Sequence, residues 1–295
     1  MPPCADRYVD EVHEGPVRTV PGLPVPGRCL VMGVVNVTPD SFSDGGMWLQ
    51  PEDAVAHGLT LLADGADLLD VGGESTRPGA ARPDEDEELA RVLPVVRELA
   101  STGAVVSVDT MRPRVARAAL DAGAALVNDV SGGLADPAML RLVASAGVPY
   151  VLMHWRRHSA DMQAFAAYDD VVADVCAELR TRVDAAAAAG IAPELVIVDP
   201  GLGFAKNAAH NWRLLAELST LHDLGRALLV GASRKRFLGQ LLADDTGVER
   251  GARDRDDATV ATSVLAAEAG AWCVRVHAAR GSADAVRVAS RAAAG

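Results

Sequence analysis

The feature that most constrains the fold of this chain is an alternation, repeated eight times, between a short apolar run and an Ala-rich amphipathic stretch. The apolar runs contain many β-branched residues and little polar alternation, which is typical of parallel strands buried on both faces. The predicted strands are residues 29–35, 67–71, 105–108, 125–128, 149–153, 195–198, 227–231 and 272–276. The predicted helices are residues 52–64, 84–100, 112–122, 137–146, 169–189, 210–218, 256–269 and 283–292. Eight strand–helix units predict an α/β protein with a (β/α)8 TIM barrel.

The main alternative is an open, doubly wound sheet. Such a sheet usually has fewer units and carries a G-x-G-x-x-G motif after its first strand, and no such motif follows Val35. The 295 residues of the chain also leave room for a barrel, which takes about 250 residues. We therefore predict a single barrel domain over residues 29–295, preceded by a loosely ordered N-terminal extension over residues 1–28. The charged stretch 243–257 is predicted as a surface insertion before the seventh of these helices.

Charge and cysteine usage narrow the expected partners and compartment. The net charge is −12 and no basic run is long enough to follow a nucleic-acid backbone, so we expect no nucleic-acid partner. The longest apolar runs have the length of strands and no apolar signal segment stands near the N-terminus, so we expect no membrane association. The four cysteines, Cys4, Cys29, Cys176 and Cys273, are scattered along the chain, which favours a reducing compartment. We expect a cytoplasmic protein.

Polar and ionisable residues gather directly after the predicted strands and are nearly absent inside them. In a barrel these positions meet at one mouth, so we expect the functional site there. Two chemical sets can be distinguished among them. The first offers carboxylate and amide acceptors, which suit a flat heterocycle with several N–H groups: Asp109, Asn128 and Asp199. The second offers cations, which suit a phosphate or diphosphate: Arg77, Lys235, Arg275 and His277.

Structural explanations compete with these assignments. Asp109 and Asp199 are of a residue type that commonly caps a following helix. Lys235 fits a solvated helix start, and His277 fits a core histidine with satisfied hydrogen bonds. The segment GLGFAK at residues 201–206 lacks the ending of a phosphate-binding P-loop and is predicted to support backbone turns beside the pocket.

The motifs of this mouth resemble, in order along the chain, those of the dihydropteroate synthase family. MGVVNVTPDSFSDGG at residues 32–46 is similar to the family's first signature, and DVGGESTRPG at residues 70–79 is similar to its second. Shorter motifs follow in family order at residues 107–110, 128–133, 199–201, 231–235 and 275–277. The resemblance covers residues 29–292 and is greatest to actinobacterial members at residues 153–156 and 201–206.

The resemblance implies a division of roles between two substrates, a dihydropterin diphosphate and p-aminobenzoate. The residues that would hold the pterin ring are Asp109, Asn128, Asp199 and Lys235, with Met153 and Phe204 as apolar walls. Those that would bind the diphosphate are Thr76, Arg77, Arg275 and His277, together with Mg²⁺ held by Asn36. Loops 37–46 and 74–84 would cover p-aminobenzoate, contacted by Phe42 and Pro78.

The resemblance also implies a dissociative reaction and a homodimeric enzyme. Diphosphate would leave first, and the neutral arylamine would capture the methylene cation that the pterin ring stabilises, so no strong general base is required. Catalysis would consist of charge stabilisation on the leaving group and of positioning. The residues expected to carry it are Arg77, Lys235, Arg275 and His277.

Two departures from the family pattern leave other functions open. Ala278 stands where the family usually has Asp, which puts the orientation of His277 in doubt, and Ala205 replaces a commoner Gly. One alternative is a pterin-binding methyltransferase, which has no diphosphate to bind and so no use for the cationic set. Another is a catalytically silent paralogue that binds pterin or a partner. Diphosphate release, assayed with and without p-aminobenzoate, separates the three.

Overall fold

The computed structural model describes residues 18–38, 50–74, 82–156 and 165–295. The strands are β1 (Leu30–Asn36), β2 (Leu68–Gly72), β3 (Val106–Asp109), β4 (Leu126–Asp129), β5 (Tyr150–Met153), β6 (Val196–Asp199), β7 (Ala227–Val230) and β8 (Cys273–Val276). They form a closed parallel barrel, in which each strand pairs with the next and β8 pairs with β1. The predicted (β/α)8 barrel is confirmed, and the strands lie within one residue of their predicted bounds.

Helices cover the outside of the barrel. They are α1 (Pro51–Ala63), α2 (Glu85–Ser101), α3 (Pro113–Asp121), α4 (Ala138–Ala146), α5 (Val171–Ala188), α6 (Ala208–Ala216), α7 (Arg236–Leu241), α8 (Asp256–Glu268) and α9 (Ala279–Ala293). Short 3₁₀ helices occur at Pro193–Leu195, Leu218–Leu224 and Ala252–Arg255. Over the described ranges, none of the helices has both the length and the apolar character needed to cross a membrane.

The clear departures from the predicted helices lie in the last two units of the barrel. The six-residue helix α7 was not predicted, because so short a segment shows no helical periodicity. Helix α9 begins at Ala279 rather than at residue 283 and runs through Gly281. A Cβ atom at residue 281 would lie 2.7 Å from Cγ2 of Val260 on α8, so this glycine permits close helix packing although glycine weakens an isolated helix.

The end of the barrel opposite the strand C-termini is closed by an apolar floor. Its core contains Leu30, Met32 and Trp272, each no more than 2% exposed, and Val20 and Leu23 pack against them. Within residues 18–28, the part of the predicted N-terminal extension which the structure describes, the chain packs onto the floor, whereas residues 1–17 lie outside the described ranges.

Candidate active site

The strand register brings the predicted acceptors to one level of the barrel mouth. Gly72 at the end of β2 lies beside Asp109 at the end of β3, and Asp109 lies beside Asn128 on β4. Further around the barrel, Met153 of β5 lies beside Asp199 of β6. All of these residues stand at or next to the C-terminal end of their strand, which is where barrel enzymes carry their active sites.

Arg275 is held between two carboxylates in the middle of this mouth. Its Nε donates to Oδ2 of Asp70 over 2.6 Å, and its Nη2 donates to Oδ2 of Asp109 over 2.7 Å. The side-chain amide of Asn128 donates to the same Oδ2 of Asp70 over 2.8 Å. The structure thus places Arg275, which the sequence analysis assigned to the diphosphate set, in direct contact with the acceptor set.

Asp70 is a site residue that the sequence analysis missed. It is fully buried, and its second oxygen, Oδ1, has no hydrogen-bond partner among the described residues. It lies inside β2, so a search restricted to residues after the strands passed over it. The available signal was an aspartate in an otherwise apolar strand, since a charged residue is almost never fully buried unless it is paired.

The electrostatics of this cluster follow from its burial. Burial raises the pKa of Asp109 to about 8; the Arg275 guanidinium opposes that rise and the Asp70 carboxylate adds to it. Burial acts to lower the pKa of Arg275, but Asp70 and Asp109 outweigh burial and the pKa is raised. The guanidinium therefore stays charged, while Asp109 is an acceptor whose protonation depends on what binds next to it.

Asp199 and Lys235 form a second part of the pocket. Asp199 is 7% exposed, its Oδ1 accepts the backbone N–H of Gly201 over 2.7 Å, and burial raises the pKa of its carboxyl. Nζ of Lys235 donates to the carbonyl of Leu202 and lies 4.8 Å from the centroid of the Phe204 ring. Burial lowers the pKa of Lys235 to about 8, against the attraction of Asp199.

The apolar walls of the pocket form one small cluster. Met153, 3% exposed, packs with Met111 and Val130, and the partly buried rings of Trp155 and Phe204 lie against them. The sequence analysis named Met153 and Phe204 as walls, and the structure places both in this cluster. An apolar cluster beside convergent acceptors is the usual composition of a small-molecule pocket.

His277 is oriented by Ser233 across the mouth. The hydroxyl of Ser233 accepts the backbone N–H of His277 over 3.1 Å and lies 2.9 Å from Nδ1 of its ring. Arg234, next to Ser233, turns away and binds both carboxylate oxygens of Asp256 on α8 over 2.6 and 2.7 Å. Ala278 stands at the N-cap of α9 and its side chain accepts no hydrogen bond. The ring of His277 therefore has Ser233 as a partner, and not a carboxylate at residue 278.

Neither Asp109 nor Asp199 caps the helix that follows it, since the N-cap residues are Arg112 and Asn207. Helix α3 has Arg112 at its N-cap position, so Asp109 does not cap it. Asp199 does accept a backbone N–H, but from the turn residue Gly201, and its second oxygen takes no hydrogen bond from another described residue. A purely structural role applies instead to Asp129, whose oxygens accept from the hydroxyls of Tyr150 and Ser131 over 2.7 Å each.

A buried network beneath the pocket was also missed by the sequence analysis. Lys206 is 3% exposed and contacts the ring of His154, whose other ring nitrogen contacts Glu178. The signal that could have found it is compositional, since the chain has only two lysines among its 28 basic residues. Both of them, Lys206 and Lys235, lie at this site.

Part of the predicted site lies outside the described residues. Asn36, the predicted magnesium ligand, is described and ends β1 at the mouth. The remaining predicted residues, Phe42, Thr76, Arg77 and Pro78, fall in ranges that the structure does not describe.

Comparison with known proteins identifies the family of this chain. A model of the pterin binding enzyme family matches residues 32–277. The dihydropteroate synthase of Mycobacterium leprae is 58% identical over 259 residues, covering 88% of this chain and 91% of the relative. A dihydropteroate synthase structure from Xanthomonas albilineans with 4-aminobenzoic acid is 49% identical, with a TM-score of 0.82, and covers 91% of this chain and 94% of that one. Another from the same organism, in complex with 7,8-dihydropteroate, is 46% identical, with a TM-score of 0.79 and coverage of 91% and 95%. This chain therefore belongs to the dihydropteroate synthases of the pterin-binding enzyme family.

Proposed function

We propose that the described residues of this dihydropteroate synthase divide between its two substrates, 6-hydroxymethyl-7,8-dihydropterin diphosphate and p-aminobenzoate. The pterin ring is held by Asp109, Asn128, Asp199 and Lys235 against the Met153 and Phe204 walls. The observation that carries this assignment is Asp199, a nearly buried carboxylate with one oxygen occupied by Gly201 and the other left over. Each carboxylate oxygen can accept two hydrogen bonds, so Oδ1 keeps one lone pair beside the Gly201 N–H, and paired N–H groups of a pterin can still match both oxygens in the way that a guanidinium does.

The leaving diphosphate is received on the cationic side of the mouth. Arg275 uses Nε and Nη2 on the two aspartates, and its Nη1 makes no hydrogen bond to another described residue. The Nη1 group of Arg275, together with Lys235 and His277, can therefore stabilise the negative charge that develops on the diphosphate as its bond to carbon breaks.

The chemistry balances without a strong base at the site. The bond between the exocyclic methylene carbon and the diphosphate oxygen breaks, and diphosphate carries away the bonding electrons. The arylamine nitrogen then forms the new bond to that carbon with its lone pair and releases a proton to water. The residues of this chain bind, orient and neutralise charge, which accounts for catalysis by positioning and electrostatics.

The experiment that tests the assignment is Asp199→Asn. The amide keeps the shape of the side chain but can set a donor against a ring N–H, and we expect pterin binding to weaken by about 2–4 kcal/mol. Calorimetric titration with the dihydropterin diphosphate measures the loss. Asp136→Asn is the matched control, because Asp136 lies outside the pocket and its side chain accepts the backbone N–H of Ala138, which Asn can also do. Equal pterin affinity in the folded Asp199→Asn variant would remove Asp199 from the site.

We propose that Asn36 holds Mg²⁺ together with the substrate diphosphate. The side chain of Asn36 has no hydrogen-bond partner among the described residues, so its carbonyl oxygen is available at the mouth. No cluster of three His, Cys, Asp or Glu residues capable of holding a metal occurs in the described ranges, which fits an ion bound through one protein oxygen, phosphates and water. When bound, the ion would neutralise charge on the leaving group.

If Asn36 holds the ion, Asn36→Ala should raise the Mg²⁺ concentration needed for half-maximal turnover. Full activity of the wild type in excess chelator would contradict the proposal.

We propose that the enzyme is a homodimer and works in the cytoplasm. Four large apolar side chains are exposed from residue 241 onward, Leu241 (64%), Val248 (63%), Leu265 (47%) and Val288 (68%), and exposed apolar surface often marks an interface. Sedimentation velocity should give twice the 30.7 kDa mass of the chain.

The thiols of Cys29, Cys176 and Cys273 are free and buried, which suits a reducing compartment such as the cytoplasm.

A further inference from the structure

The ammonium of Lys206 is surrounded by three acceptors. Its Nζ lies 2.9 Å from Nδ1 of His154, 3.1 Å from the carbonyl of Gly201 and 3.0 Å from the carbonyl of Phe204. The side chain is nearly buried, with 3% exposure. An ammonium has three N–H groups on one atom, so the three acceptors match the three donors of the protonated side chain. Burial lowers the pKa of Lys206 to about 7, with Lys235 adding to that effect, and the three acceptors favour its charged form.

The protonation of His154 fixes the direction of its bond to Lys206. Nε2 of His154 lies 3.0 Å from Glu178, and the hydrogen bond from His154 and those from Arg156 hold the pKa of Glu178 at about 2. Glu178 is therefore an ionised acceptor, and Nε2 of His154 carries the proton. Burial lowers the pKa of His154 to about 4, with Lys206 adding to that effect, so the ring is neutral and Nδ1 presents a lone pair. Lys206 must donate to it.

The backbone that Lys206 binds is the turn that carries the Phe204 ring. Residues Gly201, Gly203 and Ala205 have positive φ angles of 65°, 79° and 48°. The two glycines adopt this conformation freely, whereas Ala205 does so only when other contacts hold it. Two further carbonyls of the turn are bound from other elements. Tyr168 donates its hydroxyl to Ala205 over 3.0 Å, and Lys235 donates to Leu202.

We infer that Lys206 is a positioning residue for the pterin pocket, which fixes the turn 201–206 and through it the ring of Phe204 and the ammonium of Lys235. The inference rests on the proposed function, in which Phe204 and Lys235 border the pterin. Lys206 does not contact the substrate in this arrangement. It acts from beneath, because its acceptors are the two carbonyls that frame the turn and the ring of His154, whose backbone N–H donates to the carbonyl of Asp199 over 2.8 Å.

Lysine is required here by geometry and not only by charge. Arginine spreads its donors over a planar fork and cannot direct three N–H groups from one atom, so it does not reproduce this arrangement. Gly203 lets the turn pack closely against Lys235, because a Cβ atom at residue 203 would lie 2.9 Å from Cδ of Lys235. The turn is thus packed between the only two lysines of the chain.

The test compares Lys206→Met, Lys206→Arg and Tyr168→Phe with the wild type. We expect Lys206→Met to weaken binding of the dihydropterin diphosphate at least tenfold and to raise its KM similarly. The KM for p-aminobenzoate at saturating pterin should stay within twofold. A general loss of folded enzyme would instead lower the apparent kcat and leave both KM values unchanged. Lys206→Arg should fail to restore pterin affinity. Tyr168→Phe removes one hydrogen bond from the same turn and leaves Lys206 in place, so it should show a smaller effect of the same kind.

The outcomes separate the inference from the function on which it rests. A wild type that binds no dihydropterin diphosphate would refute the proposed function. A wild type that binds it, with Lys206→Met binding equally well, would refute the positioning role alone. Proportional rises in KM for both substrates, or rescue by Lys206→Arg, would also refute that role. If Lys206→Met does not fold, the Tyr168→Phe variant decides, since an unchanged pterin KM there would mean that the turn needs no such support.

Discussion

Ala278 shows how a single residue can depart from its family pattern without disturbing the site beside it. It occupies the N-cap position of α9 with extended dihedral angles (φ −122°, ψ 117°), and its side chain cannot accept a hydrogen bond. The neighbouring ring of His277 takes its orientation from Ser233. The loss of a carboxylate at residue 278 therefore acts on the helix end and not on the ring.

We expect Ala278→Asp to stabilise the protein by about 0.5–2 kcal/mol, the range measured for polar N-caps. The carboxylate would accept an N–H of the first turn and would lie at the positive end of the helix dipole. Urea unfolding measures the change. Ala294→Asp, the same substitution at the C-cap of the same helix, is the control and should give no gain. Equal effects at both ends would mean that capping is not the cause.

Individual site residues could be predicted from the sequence where they directly follow a predicted strand. Asp109, Asn128 and Asp199 follow strands, and the rule that barrel mouths carry function was enough to find them. Asp70 and Lys206 could not be found by that rule. Each is buried, and its role depends on partners far away in sequence, such as Arg275, which lies 205 residues after Asp70.

At the scale of elements, helix α2 and the N-terminus of helix α3 are joined by a partly buried ion pair. Glu88 of α2 is fully buried and accepts from the hydroxyl of Thr110 over 2.6 Å. Nη1 of Arg112 donates to the other oxygen of Glu88 over 2.5 Å. Arg112 also donates to the carbonyls of Pro83 and Asp84 just before α2. The carboxylate therefore depends on one guanidinium for its charge balance.

Arg112→Met should lower the free energy of unfolding by about 3–5 kcal/mol, because it leaves the Glu88 carboxylate buried without its partner. The double variant Arg112→Met/Glu88→Gln should recover most of that loss, since no uncompensated charge remains. Arg114→Met is the control, because Arg114 is an exposed residue whose pairs with Glu85 and Asp86 are screened by solvent and contribute little to stability. Additive effects in the double variant, measured by urea unfolding, would show that Glu88 does not depend on Arg112.

Helices and strands were predicted well where the apolar pattern of the sequence extended over the whole element. They were predicted poorly where tertiary contacts determine the position of the element. All eight strands were found because buried parallel strands give continuous apolar runs. Helix α7 was missed, and its place is set by contacts that no local pattern contains. Arg234, just before it, has a φ of 58° and is held in that conformation by Asp256 and by the hydroxyl of Thr259 on α8.

For the whole molecule, the barrel separates an apolar floor from a mouth with closely balanced charges. In a chain of net charge −12, the carboxylates Asp70, Asp109 and Asp199 face the cations Lys206, Lys235 and Arg275. Burial raises the pKa of Asp109 and Asp199 and lowers that of both lysines. Burial therefore disfavours the charged forms of these groups in the ligand-free mouth, and their contribution to folding stability must depend on pH.

The Asp109→Asn variant tests this cost. The pKa of Asp109 rises from its ordinary value of 3.8 to about 8 in the folded protein, so between these values the folded state binds a proton that the unfolded state does not. The free energy of unfolding contributed by Asp109 must then fall as pH rises from about 4 to about 8. Asn does not titrate, so the variant lacks this fall. The stability of Asp109→Asn relative to the wild type should increase steadily across that window.

The measurement is urea unfolding of both ligand-free proteins at intervals between pH 4 and pH 8, taking the difference at each pH so that all other titrating groups cancel to first order. Two physical effects oppose each other at Asp109, burial and the Arg275 guanidinium at 2.7 Å. If burial prevails, the difference rises with pH. If the ion pair prevails, the pKa of Asp109 is depressed, its titration is complete below pH 4, and the difference is flat. A flat difference would mean that Asp109 is already ionised when the pterin arrives. The Arg275 guanidinium, and not burial, would then determine the pKa of Asp109 in the ligand-free protein.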